Sequence, residues 1–129
     1  MCAEKMKVLV IEPMKKPYVK EIDSGLESFQ HEVGGYIQVV YPWAEMCGIV
    51  CDEGAKLKGK ELNRALRDED GRIYDVVAGT FLIVGLGEDD FTSLAPEHIR
   101  QFQKLFSVPE VFVMIGGKLL VLPGGDLDG

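Results

Sequence analysis

The sequence predicts an α+β fold: one domain built on a mainly antiparallel sheet with two short helices. Three observations predict it. Apolar runs of strand length recur along the chain. The connection between the first two is too short for a parallel crossover. Only two segments carry a helical period, so helices and strands do not alternate in βαβ rhythm. The 129 residues have the length of one domain and suffice for a hydrophobic core, and 47% apolar with 27% charged residues is a globular composition.

Met6 to Glu12 (MKVLVIE) reads as a buried first strand, and Tyr18 to Ile22 alternates like a second, with Pro13 to Pro17 turning between them. Asp23 to Val33 carries a helical period. Ser24 and Glu27 have capping-box spacing, Leu26, Phe29 and Val33 share one face, and Gly34 with Gly35 supplies a left-handed C-cap. Tyr36 to Tyr41 is a third strand closed by Pro42, and Gly48 to Asp52 a fourth. Asp52 to Leu66 reads as irregular or briefly helical around Glu61 to Leu66; Asp68 to Gly71 is a turn. Arg72 to Leu86 is the longest strand signal, bent or bulged at Gly79. Gly87 to Ala95 is a loop, and Pro96 opens a second helix whose stripe is Ile99, Phe102, Leu105 and Phe106. Val111 to Ile115 and Lys118 to Leu122 form a hairpin on a Gly116, Gly117 turn. Residues 1–5 and 124–129 are expected to be disordered.

A net charge of −7, with 14 basic residues scattered among 21 acids, disfavours nucleic-acid binding and a DNA mimic alike. No secretory leader is read, and the apolar stretch Val76 to Leu86 is interrupted by Gly79, Thr80 and Gly85, so no membrane span is expected. Three cysteines, an odd count, fit a reducing compartment, and the cytoplasm is the expectation.

The opening MKVLVIEPMKKPYVKEI, the segment EVGGYIQVVYP, the stretch LNRALRDEDGRIYDVVAGTFLIVG and the later EDDFTSLAPE resemble, in order and spacing, the family catalogued as domain of unknown function 3846, over about Met6 to Phe106. The resemblance implies a small intracellular accessory protein of gut Firmicutes, phages or other mobile elements. It transfers no catalytic residue. Ala95 departs from the pattern, which expects a capping Ser there.

The densest polar cluster is Asn63, Arg64, Arg67, Asp68, Asp70, Tyr74 and Asp75, running straight into an apolar strand interrupted by Gly79 and Thr80. On a helical turn, Arg64 and Arg67 project together, and two guanidinium forks suit a carboxylate or phosphate. The competing reading pairs them with Asp68, Asp70 or Asp75 to lock the turn onto the sheet. Asn63, Arg64, Arg67, Tyr74, Asp75 and Thr80 are therefore the candidate ligand-binding residues. Trp43, the single tryptophan, suits either a partner contact or a lid over the core edge.

Other chemistries read weakly. Cys47 and Cys51, four apart on a strand, stand roughly 13 Å apart, too far for one zinc ion, and His31 and His98 stand alone on helices. There is no CxxC and no GxSxG, and Gly85 to Gly87 runs into Glu88, Asp89 and Asp90, which repel phosphate. No metal and no cofactor is expected. Three functions stay open: a non-enzymatic binding or regulatory module with a protein partner, a protein sequestering an anionic small molecule or nucleotide signal, and a small enzyme using Asp75 or Tyr74 with Arg64 or Arg67. The first expects no deep pocket; the other two need a concave one.

Overall fold

A computed structural model describes residues 5–88 and 90–124. The elements are β1 (Lys5–Ile11), β2 (Tyr18–Asp23), α1 (Leu26–Val33), β3 (Ile37–Val40), β4 (Cys47–Asp52), β5 (Leu62–Arg67), β6 (Ile73–Ala78), β7 (Phe81–Leu86), β8 (Phe91–Thr92), α2 (Pro96–Leu105), β9 (Glu110–Ile115) and β10 (Lys118–Pro123). The main sheet runs β2-β1-β7-β4-β3, with β8 paired to β7, and β5-β6 and β9-β10 are separate hairpins. Every described pairing is antiparallel, as an α+β reading expects. Among the described residues, no helix is long and apolar enough to cross a membrane.

The central strands are continuous apolar runs because the sheet is covered on both faces. Odd positions of β1, β4 and β7 (Leu9, Ile11, Cys47, Ile49, Phe81, Ile83) meet Leu66 and Val77 of the β5-β6 hairpin and Phe102 and Phe106 at α2. Even positions (Val8, Val10, Val50, Leu82, Val84) meet Phe29 and Val33 of α1. The side-chain period of two divides one sheet between two cores.

Several sequence expectations need correction. The run 72–86 is two strands in two different sheets. Gly79, at φ +73, lets the chain leave the β5-β6 hairpin and enter the middle of the main sheet, a conformation a β-carbon penalises. Glu61 to Leu66 is not helical: Leu62–Arg67 is β5, whose apolar Ala65 and Leu66 are better buried against the sheet than on an isolated turn. The loop 87–95 contains the short β8. Helix α1 starts at Leu26 with Gly25 as N-cap and no side-chain cap bond, so the Ser24–Glu27 capping box does not form. Leu26 and Leu105, counted in the two helix stripes, are 56% and 58% exposed at the first and last positions of their helices. The expected disorder at 1–5 and 124–129 lies outside the described residues except at Lys5, which begins β1, and Gly124, whose N–H donates to Pro109 O.

The glycine C-cap of α1 is present. Gly34 sits at φ +79, and the N–H groups of Gly34 and Gly35 both donate to Gln30 O. Gly34→Ala should cost roughly 1 kcal/mol from the left-handed backbone alone. A chemical-denaturation midpoint unchanged by that substitution would remove the argument. Ala95 makes no side-chain cap, yet Pro96 at the first turn and the Ile99 N–H to Ala95 O bond (2.8 Å) keep α2 formed.

The C-terminal end of α1 is tied to the β4-β5 connection by charge. Lys60 Nζ donates to Val33 O and Gly34 O, Lys58 Nζ to Gly34 O, and both lysines reach the buried Asp52 carboxylate at 2.6 and 2.8 Å. Burial pushes the Asp52 carboxyl up, but the bonds from Lys58, Lys60 and the Gly54 N–H outweigh it and bring it from 3.8 down to about 2. A depressed carboxyl stabilises the fold above its unfolded value and loses that contribution as pH falls through the folded one. The thermal midpoint should therefore fall between pH 3.8 and about 2, and Asp52→Asn should flatten that dependence. An identical acid limb in the variant would contradict the assignment.

Candidate functional site

Strand β5 stacks on the sheet with two irregularities in its pairing to β6, between Leu62 and Arg64 and between Leu66 and Arg67. These shifts let consecutive residues Asn63 to Leu66 all be buried, which a regular half-exposed strand does not permit. Asn63 and Arg64 thereby enter the interior with their polar groups.

Both are satisfied there. Asn63 Nδ2 donates to Ile11 O at 2.9 Å and Gly79 O at 2.8 Å, and its Oδ1 accepts Arg64 Nη1 at 2.8 Å. It stitches β5 to β1 and to the Gly79 crossing. Arg64 is 1% exposed. Its Nε and Nη2 donate to Phe106 O, Nη2 also to Lys15 O at 2.7 Å, and Nη1 also to Asn63 O. A guanidinium has five N–H groups, and each has an acceptor on the chain. Arg64 thus binds the ends of three segments: the β1-β2 turn, β5 and the C-terminal end of α2. Burial pulls its guanidinium below the ordinary value, and only the charge of Glu110 opposes this. Its acceptors are neutral carbonyls, so it does not pair with Asp68, Asp70 or Asp75.

Asp68 and Asp75 are occupied elsewhere. Asp68 Oδ1 accepts the N–H groups of Asp70 and Arg72 and closes the β5-β6 turn. Asp75 lies on the other side of β6 from Tyr74 and takes Lys56 Nζ at 2.9 Å. Burial alone would raise its carboxyl, but Lys56 and the Val76 N–H hold it below the usual range. Thr80 is half-buried in the crossing between β6 and β7.

Arg67 is placed differently. Its Nη2 donates to Glu110 Oε2 at 2.7 Å, and Glu110 Oε1 accepts the Ala65 N–H at 2.9 Å, so β9 is fastened beside β5. Among the described residues this is the only acceptor Arg67 has, and its side chain is 43% exposed. It stands on the wall of a cleft of about 380 Å³ between β5, the C-terminal end of α2, the loop at Pro42 and the β9-β10 hairpin. Trp43, Leu66, Leu105, Phe106, Val108 and Val121 form the apolar walls, with Tyr74 beside Arg67. Trp43 is held by its stack on Phe102, with ring centroids 4.2 Å apart, and by an edge contact to Phe106 at 6.2 Å. It is both the core lid and a cleft wall.

The structure therefore divides the candidate residues. Arg64, Arg67 and Tyr74 line one cleft, although Arg64 has no donor left to offer. Asn63 and Thr80 lie inside the fold, and Asp75 belongs to the opposite side of the hairpin. Sequence reasoning missed Glu110, Leu105, Val108 and Val121 because they come from segments distant along the chain from β5. The one available signal was Trp43 beside Pro42 on a loop.

His98 does not stand alone. Its Nδ1 is 3.2 Å from Cys47 Sγ. Burial, with the charge of Glu45, pushes the Cys47 thiol up, the opposite of the shift that activates a cysteine. Cys51, pushed up to about 11 by burial, donates toward Gln38 O at 3.6 Å. Among the described residues, no three His, Cys, Asp or Glu are gathered for a metal ion.

The family model of the domain of unknown function 3846 matches residues 6–107, from β1 through α2. Neither a curated protein nor a solved structure matches the chain.

Proposed function

The chain belongs to the family of domain of unknown function 3846, which brings no activity with it, and from the cleft we propose that the protein is a non-enzymatic binding protein sequestering a small molecule with an apolar body and one anionic group. The observation that carries this reading is the pairing of an apolar, partly enclosed cleft of ligand size with one arginine whose fork is mostly unspent. Carboxylate or phosphate would take the remaining Arg67 donors, and the body would lie between Trp43 and the end of α2. Glu110 holds Arg67 Nη2 and leaves the site with a sign preference and little net charge. The enzyme reading keeps Tyr74 beside Arg67 but loses Asp75, which is on the other side of the hairpin and held ionised by Lys56. The cytoplasm is the proposed compartment, where reducing conditions keep Cys47 and Cys51 as thiols. The setting in a phage or mobile element rests on the family resemblance alone.

Calorimetric titration with naphthalene-2-carboxylate, and with naphthalene-2-methanol as the uncharged counterpart, tests the reading. The carboxylate should bind about tenfold tighter, since an ionised partner strengthens a hydrogen bond to arginine. Val108→Trp, which fills the cleft from an exposed position, should abolish both. Equal binding of both probes, or binding that survives Val108→Trp, would overturn it.

A further inference from the structure

Among the described residues, Glu110 is the only acid on the wall of the cleft, and it is fixed in place. Its side chain is 12% exposed. Its Oε2 accepts Arg67 Nη2 at 2.7 Å and its Oε1 accepts the Ala65 N–H at 2.9 Å, so neither oxygen is free to turn away. The guanidinium offered to a ligand's anion therefore already holds a carboxylate. An anion on the other Arg67 donors stands within the breadth of one guanidinium from Glu110. In a partly enclosed apolar space, charges that close together are weakly screened.

The remaining charges around Arg67 add little that favours a second negative charge. Arg64 is a second cation on the wall, but chain carbonyls and Asn63 Oδ1 take its N–H groups, and Glu110 acts on its charge as well. A more open recess adjoins the cleft and shares Pro42, Trp43, Arg67 and Tyr74 with it. Its other charged residues are Glu45, Asp68, Glu69 and Asp70, so acids outnumber arginines across the two. The net charge of −7 supplies a negative background. The first negative charge of a ligand gains the free donors of Arg67. A second gains no further guanidinium with donors to give, and it meets Glu110 and the acids of the recess. Its desolvation is also costlier, because the Born cost of taking an ion from water grows with the square of its charge.

We infer that the cleft takes a ligand whose anionic group carries one negative charge, a carboxylate or a sulfate ester, and rejects a phosphate monoester, with Glu110 as the residue that sets this limit; the inference rests on the cleft reading. A phosphate monoester carries close to two negative charges above its second pKa of roughly 6. A sulfate ester has the same tetrahedral shape and carries one. The selected property is charge and not the geometry of the anion. Glu110 thus fastens β9 beside β5 and decides specificity with the same carboxylate.

Calorimetric titration at pH 8 with 2-naphthyl sulfate, 2-naphthyl phosphate and the uncharged naphthalene-2-methanol tests it. The wild type should bind the sulfate about tenfold tighter than the phosphate. Glu110→Gln keeps the length of the side chain and an oxygen for the Ala65 N–H, and removes the charge. It should bring the two esters within about threefold of each other, chiefly by tightening the phosphate, while the alcohol binds as before and so reports an intact cleft. The wild-type comparison needs no variant, and it decides the charge limit even where the substitution disturbs the hairpin. A sulfate bound more tightly than the alcohol but no more tightly than the phosphate would overturn this inference alone. A tenfold preference that persists in Glu110→Gln, with the alcohol unchanged, would overturn the role of Glu110. A sulfate bound no better than the alcohol, or no binding of either, would overturn the cleft reading and this inference with it.

Discussion

Arg64→Ala is expected to destabilise the protein by roughly 3–5 kcal/mol, the largest effect of any single substitution considered. The truncation opens a cavity in the interior and leaves Phe106 O, Lys15 O and Asn63 Oδ1 without donors, and each stranded buried acceptor costs about 1–3 kcal/mol less whatever water can restore. Three chain segments lose their common tie at once, so the turn at Lys15 and the end of α2 should gain hydrogen-exchange rates together. Arg67→Ala, by contrast, removes a half-exposed ion pair and should cost about 1 kcal/mol or less. Urea unfolding of both variants checks the contrast. Equal losses, or an undisturbed Arg64→Ala, would break the assignment.

Asn63→Leu is expected to cost roughly 2–4 kcal/mol. The side chain keeps its approximate size, so the loss comes from the unpaired Ile11 and Gly79 carbonyls and from an Arg64 N–H without its acceptor. Since Asn63 Oδ1 and Arg64 Nη1 share a bond, the double variant should lose less than the sum of the two single losses. Additive losses would show that the two side chains act independently.

Much of the fold was legible from periodicity and punctuation. The continuous apolar runs of β1, β4 and β7, the Gly34 cap, Pro96 at the start of α2 and the Gly116, Gly117 turn each rest on a local rule, and the structure contains each of them. The errors occur where distant contacts decided. Glu61 to Leu66 carries no strand alternation, because pairing irregularities bury Asn63 to Leu66 consecutively; polar side chains in a buried run imitate a helical turn. Gly79 reads as a bend in one strand, whereas a single positive φ there separates two sheets. The polar cluster stands out in the sequence, but its division does not. Arg64 is consumed by carbonyls of Phe106 and Lys15, and no spacing rule links residue 64 to residue 106. The partners that make a cleft around Arg67 arrive from α2 and the terminal hairpin. The Cys47–His98 contact is likewise a product of the sheet passing under α2.

Two neighbouring arginines do different work: Arg64 holds the fold, and Arg67 presents a charge to an apolar cleft. Trp43 is the only tryptophan and forms a wall of that cleft, so the protein gives a single indole N–H resonance in a proton–nitrogen correlation spectrum. Titrating naphthalene-2-carboxylate while following that resonance tests the claim most directly. It should shift saturably in the wild type. In Arg67→Ala, with its fold shown intact by the rest of the spectrum, the half-saturation concentration should rise about tenfold. A resonance that does not move, or one that saturates at the same concentration without Arg67, would contradict the account.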